Sequence, residues 1–215
     1  MLIDFTRVIH TIGHVPTGVI HAGAYTGEEF HHYLANGIDN CIFFEANPVL
    51  AEKLRGHVGK DRAFEYLLHE VDDLEIPFKL IYSDDGQNMG CSSVFDLDKH
   101  AEYYPHCKKV NEIILKTKSL NTIFHLHELA DDRFDFINID VQGAELLVLK
   151  GASYILPYID AIMTEFTTES LYKGGCQLSD LDEYLIPMGF ERKITEFVHP
   201  VWGDALYVRG NNEPS

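Results

Sequence analysis

Basic residues are in short supply. Lys and Arg number 17 against 34 Asp and Glu in 215 residues, a formal charge of -17 at pH 7. Most of such a surface repels phosphate backbones and anionic lipid, so neither nucleic acid nor a membrane is the expected partner. No apolar run approaches the length that spans a bilayer. Residues 1–20 carry Asp4 and Arg7 and lack the apolar core and cleavage signal of a secretory peptide, which makes a cytoplasmic location the expectation. The four cysteines, Cys41, Cys91, Cys107 and Cys176, include no CxxC pair and no metal spacing. Reduced thiols are therefore expected rather than disulfides or zinc. The histidine pairs His31-His32 and His125-Leu-His127 lack partner ligands at fixed spacing and read as solvated surface. Repeats, low-complexity tracts and linkers are also missing, so residues 1–210 are expected to form one domain with 211–215 as a C-terminal tail.

What is present is an alternation of short apolar runs and helical patterns. Gly18 to Ala22, Cys41 to Glu45, Phe134 to Asp140 and Ile159 to Phe166 read as strands buried on both faces, each followed by polar or glycine residues. Thr26 with Glu29 forms a capping-box pattern ahead of Phe30, Tyr33 and Leu34, and Asn47 can cap a helix opening at Pro48. Ser179 opens another helix, with Leu181, Tyr184, Leu185 and Met188 on one stripe. The pattern predicts an α/β domain with a mostly parallel sheet. Phe64 to His69 and Phe78 to Ser83 suggest an extra hairpin, while Phe190 to Phe197 and Ala205 to Arg209 read as a terminal antiparallel pair.

Chemistry is expected where the strands end. Gly23 and Gly27 bracket a turn into a helix, where backbone N–H groups and a positive helix end can meet a ligand. Their spacing is not the GxGxxG of dinucleotide folds, which argues against a nicotinamide oxidoreductase. Glu45 ends the next strand about 20 residues on, where a carboxylate can accept both hydroxyls of a ribose. Asp140 closes a third strand and Glu165 lies late in a fourth, so in an open sheet they and the glycine turn share one crevice. Asp140 can serve there as a base, as a ligand to a divalent ion together with Glu165, or simply as a helix N-cap.

The run "INIDVQGAELLVLKGA", together with "VIHAGAYTGEE", "FFEANP" and "WGDALYV", resembles the FkbM family of S-adenosylmethionine-dependent methyltransferases over nearly the whole chain. The Asp-Val-Gln-Gly-Ala-Glu element carries most of that specificity. The resemblance implies a class I (Rossmann-like) methyltransferase fold, a largely parallel seven-stranded sheet with an antiparallel C-terminal strand. It also implies that His21, Gly23, Ala24, Gly27, Glu45, Asp140 and Gln142 surround S-adenosylmethionine, with Asp140 and Glu165 catalytic. Residues around Leu68 to Glu70 would border adenine, and Ser92, Ser93, His100 and Tyr172 would face the acceptor. Two positions depart from the expected pattern: His21 stands where many methyltransferases have an acid, and Asn121 where an Asp is expected. The implied reaction is O-methylation of a hydroxyl on a saccharide or other small metabolite. N- or C-methylation of another acceptor, or a non-catalytic module that keeps the fold, are the alternatives. A divalent metal is an optional further cofactor, and the oligomeric state is not expressed in the sequence.

Overall fold

Each of the four apolar runs forms a strand whose alternate residues face opposite helical layers. The structure is a computed structural model that describes residues 3–84, 86 and 90–210, with only the backbone at 109 and 110. Its strands in chain order are β1 Val19–Ala22, β2 Cys41–Glu45, β3 Ala63–Glu65, β4 Leu67–Leu68, β5 Glu75–Ser83, β6 Cys107–Lys118, β7 Phe136–Ile139, β8 Ala161–Thr167, β9 Phe190–His199 and β10 Trp202–Arg209. Seven of them form one sheet in the order β3-β2-β1-β7-β8-β10-β9. Pairing is parallel from β3 through β8, and β10 runs antiparallel to both β8 and β9. This is the expected class I architecture. The expected tail, 211–215, lies outside the described residues.

The helices are α1 Phe5–Ile12, α2 Phe30–Ala35, α3 Pro48–Val58, α4 His100–Tyr103, α5 Leu120–Leu126, α6 Glu145–Lys150 and α7 Leu178–Leu185. On one face of the sheet Val19, Phe43 and Phe136 pack with Phe5, Tyr33 and Leu54 of α1, α2 and α3. On the other, Ile20, Phe44 and Ile137 pack with Ile123, Leu149 and Leu181 of α5, α6 and α7. The two-residue period of a strand puts neighbours in opposite layers, which is why the runs had to be apolar throughout. No helix among the described residues is long and apolar enough to cross a membrane.

Three local expectations change. Asn47 caps α3 as read, its Oδ1 accepting the Val49 N–H at 3.0 Å. The Thr26–Glu29 capping box does not form, because a tight turn at Gly27 delays α2 to Phe30 and puts Glu29 at the N-cap, where its side chain does not cap the helix. Helix α7 is capped by Gln177, with Asp180 reciprocating, and not by Ser179. The extra antiparallel pair exists, but its partner is different: β5 pairs with β6, and the short β4 joins β6 in parallel. Strand β6 was missed because in Cys107–Lys118 the apolar residues, Ile113 to Leu115 among them, are flanked on both sides by Lys, Asn, Glu and Thr, as in a strand with a wet face.

Between β5 and β6 the chain makes an excursion that is zipped to the loop after β8. Asp98 N donates to the Leu171 carbonyl at 2.8 Å, Lys173 N to the Asp96 carbonyl at 2.9 Å, and Lys99 pairs with Glu169 at 2.8 Å. The zipper holds the excursion over the carboxyl ends of β1, β7 and β8.

Candidate active site

Strand β1 lies between β2 and β7, so the chain leaves β1 in one direction and returns on its other side. The loops diverge at such a point and leave a crevice beyond the strand ends. Here the crevice is a cavity of about 670 Å³, within the range that holds a cofactor and a small acceptor. Glu28, Glu29, Glu45, Asp140, Glu165 and Asp204 all line it, and among the described residues no lysine or arginine does.

The glycine turn is built differently from the expectation. Gly23 N and Ala24 N both donate to the Phe44 carbonyl at 2.9 Å, Gly27 N donates to the Ala24 carbonyl, and Tyr25 N donates to Glu45 Oε2 at 3.0 Å. These amides are committed inside the protein, so the loop offers no set of free N–H groups to an anion. Gly23 is required because a Cβ there would stand 1.8 Å from the Asp140 carbonyl oxygen, and its φ is +77°. Gly27 does not reach the cavity; a Cβ on it would press Leu54 and Val58 of α3 at 2.8 Å. Ala24 does line the cavity.

Glu45 ties this loop to the next one. Its Oε1 accepts the Asn47 N–H at 2.8 Å while Oε2 accepts that of Tyr25. Burial pushes its carboxyl up to about 7 against the pull of those amides. His21 sits in a network of its own. Its ring is buried between Tyr33, 3.3 Å from Nδ1, and Asn138, 3.2 Å from Nε2, and burial lowers its pKa to about 4. Asn138 is the parallel-strand partner of His21 and also donates to the Tyr33 hydroxyl at 3.0 Å. His21 lines the cavity as a neutral imidazole whose ring is held from both sides.

Asp140 and Glu165 do converge, and Gln142 joins them. Gln142 Nε2 donates to Asp140 Oδ1 at 2.6 Å and to Glu165 Oε2 at 2.9 Å, while its Oε1 accepts from the Tyr172 hydroxyl at 2.6 Å. Both ends of this amide are used within the protein, and Gln142 also lines the cavity. The turn holds Gln142 at φ +56°, a conformation uncommon outside glycine. Burial raises Asp140 to about 7, with Gln142 opposing and the charges of Asp204 and Glu145 adding; its outer face is open to the cavity, so filling the cavity completes that burial. Glu165 is raised by burial and by Asp140, Glu145 and Asp204. A shared divalent ion would need the position that the Gln142 nitrogen takes. Among the described residues the one cluster with metal-like spacing is His14, Asp135 and Asp160, which lies before β7 and β8, at the other end of the sheet.

The helix-cap alternative for Asp140 fails. Helix α6 has Ala144 at its N-cap, and Glu145 Oε1 takes the entrance amides of Val141 and Gly143 at 3.2 and 3.0 Å. Gly143 is needed to pass Tyr172 and Gly175, each 3.3 Å from where its Cβ would stand.

On the acceptor side Ser92, His100 and Tyr172 line the cavity. Ser93 does not; it is buried, donates to the Gln142 carbonyl at 2.7 Å and accepts from Phe95 N at 3.1 Å, so it braces the turn. His100 is 5% exposed, its Nδ1 has no partner, and burial lowers its pKa. Its ring lies between Tyr104 and Tyr172, at 5.0 and 5.5 Å, and Trp202 Nε1 donates to the Tyr104 hydroxyl at 2.8 Å. Leu68 lines the cavity as expected, joined by Leu67, whereas His69 and Glu70 do not. Asn121 is occupied elsewhere, bonded to Ser153 and to Tyr154 N.

The methyltransferase FkbM domain matches residues 21–192, a span that contains the glycine turn, Glu45, the Gln142 turn and Glu165. The chain belongs to the FkbM methyltransferase domain family. It is thus an S-adenosylmethionine-dependent methyltransferase. No curated protein matches it significantly. Several solved structures are similar at low identity. TrmK of M. capricolum, in complex with S-adenosyl-homocysteine, is 10% identical, with 95% of this chain and 68% of that one covered and a TM-score of 0.44. The methyltransferase domain of bacterial CtHen1-C is 10% identical over 96% and 95% of the two chains, with a TM-score of 0.45. A Pyrococcus horikoshii protein assigned provisionally as an RNA methyltransferase is 11% identical over 96% and 80%, with a TM-score of 0.47. The family match alone carries the assignment.

The donor set fits the cofactor of the family. Glu45 keeps lone pairs for ribose hydroxyls, Leu50, Leu67 and Leu68 offer an apolar place for a purine, and the carboxylates suit a sulfonium and an ammonium group. Asp204 and Asn138 escaped the sequence reading, since each is one polar residue in an apolar strand. The signal that could have found Asp204 is its place in "WGDALYV", directly across from Glu165.

Proposed function

We propose that this protein O-methylates a hydroxyl of a saccharide or another small, uncharged metabolite. The Asp140–Gln142–Glu165 arrangement carries the reading: two carboxyls with raised pKa at the wall of a cavity large enough for two ligands. S-adenosylmethionine supplies the methyl group in an in-line displacement. Asp140 then takes the acceptor's proton, and a carboxyl raised toward neutral is a better match for that task than an ordinary one. Glu45 holds the ribose, and Ala24 and Tyr25 border the cofactor's amino-acid end. Ser92, His100 and Tyr172 meet the acceptor, with Tyr104 and Trp202 as an apolar wall. Six lining carboxylates, with no lysine or arginine in the lining among the described residues, disfavour phosphate-bearing acceptors, RNA included. A cytoplasmic setting belongs to the same reading.

The test is methyl transfer from labelled cofactor to panels of neutral glycosides, amines and anionic sugars, with the product's methyl position read by NMR. Turnover on a neutral hydroxyl compound, falling about 10²-fold in Asp140→Asn, is expected. Preference for an amine or an anionic acceptor would overturn the reading.

A further inference from the structure

The amide that joins Asp140 and Glu165 is neutral. A lysine or arginine in its place would offset their charge, whereas the two N–H bonds of Gln142 Nε2, at 2.6 and 2.9 Å, satisfy their geometry and leave their charge. Among the described residues the side chains that face the pair do not help, and the charge of the chain's N-terminus, which lowers the Asp140 pKa, is outweighed by burial and the neighbouring acids. Asp204 of β10 is the cross-strand neighbour of Glu165, Glu145 comes from α6 and Glu45 from β2, all acids. Cys91 from the excursion and Tyr172 after β8 are held neutral by burial. Two carboxylates this close keep one proton between them unless a cation enters.

The reaction itself brings one. In S-adenosylmethionine the ammonium and carboxylate offset each other, leaving the sulfonium as net charge. We propose that the Asp140–Glu165 pair gives up its shared proton when the sulfonium enters the cavity, so that loading the cofactor makes the pair a competent base. The proposal rests on the methyltransferase reading of this site. Its balance closes. One proton leaves the pair for solvent on loading. In the transfer the acceptor O–H bond breaks and its proton returns to the pair, the freed oxygen electron pair forms the bond to the methyl carbon as the methyl–sulfur bond breaks, and sulfur keeps that bond's electrons and becomes neutral. The product, S-adenosylhomocysteine, then faces a pair that again holds its proton, and no net charge attracts it. The same residues thus link arming of the base to release of the product.

Calorimetry on the full chain at pH 6.5, in phosphate and in Tris, counts protons released per ligand bound. Release of about half to one proton is expected with S-adenosylmethionine and none with S-adenosylhomocysteine, which should bind about tenfold more weakly, 1.4 kcal/mol. Asp140→Asn, or Glu165→Gln in its place, should abolish the release and bring the two affinities together. Equal release with both ligands, or release that survives in both variants, overturns the proposal. The wild-type comparison decides it even if neither variant folds. Failure to bind S-adenosylmethionine at all would instead sink the methyltransferase reading.

Discussion

Replacing Glu45 by glutamine looks like a change of charge alone, and the structure says it is more. Glu45 accepts from two backbone amides, Asn47 N at 2.8 Å and Tyr25 N at 3.0 Å, one on each oxygen. Glutamine has a single oxygen, so one of these N–H groups would face an NH₂ instead. A hydrogen bond to a charged group contributes roughly 1.5–3 kcal/mol. Part of that loss is returned, because the carboxylate is pushed up to about 7 by burial and by Asp140. A net loss of about 1–2 kcal/mol in stability follows. The Tyr25 loop and the proposed ribose acceptor fail together, so affinity for S-adenosylmethionine should fall by about 1–3 kcal/mol, roughly 5- to 150-fold. Calorimetry and thermal melting on Glu45→Gln measure both. The pH dependence has a definite sign. A carboxyl raised from 4.5 to about 7 contributes stability that is complete below 4.5 and is lost as pH rises through 7. The variant's deficit should therefore be larger at pH 5 than at pH 8. Wild-type affinity with a wild-type melting curve would refute the tether, and a deficit that grows with pH would refute the raised carboxyl.

Three other substitutions separate scaffold from chemistry. Gly23→Ala puts a methyl 1.8 Å from the Asp140 carbonyl at φ +77°, so it should destabilise the fold by about 3 kcal/mol or more, seen in urea titration; a normal midpoint would show that the β1 and β7 ends are not so close. Ser93→Ala removes the bond to the Gln142 carbonyl and the acceptor for Phe95 N, and should lower stability by about 1–3 kcal/mol while leaving cofactor affinity within twofold. Loss of affinity without loss of stability would return Ser93 to the ligand. In Asp140→Asn the melting temperature relative to wild type should climb as pH rises from about 4 to 7, because a carboxyl raised from 3.8 to about 7 stabilises the fold below that window and ceases to do so above it. A flat difference across the window would mean that Asp140 titrates normally.

The layer order was legible in the chain because it depends on local periodicity. Uninterrupted apolar runs such as "CIFFE" can only be strands covered on both faces, and each places its last residue at the crevice. That made Glu45, Asp140 and Glu165 visible as strand-end acids before any contact was known. The partners of those acids were not visible. That Gln142 joins two carboxylates depends on β7 and β8 lying side by side, which brings it to Glu165, 23 residues away in sequence. What excludes a side chain at Gly23 and Gly27 was not visible for the same reason. Glycine spacing reports that a side chain is excluded, and only the packed neighbours, the Asp140 carbonyl in one case and Leu54 with Val58 in the other, say what excludes it. Strand β6 was hidden because one wet face removes the apolar run that marks a buried strand, and its pairing with β5 is what sets the excursion bearing His100 over the site. Local pattern determines which residues can reach the strand ends; long-range packing decides which of them are spent on each other and which still face the cavity.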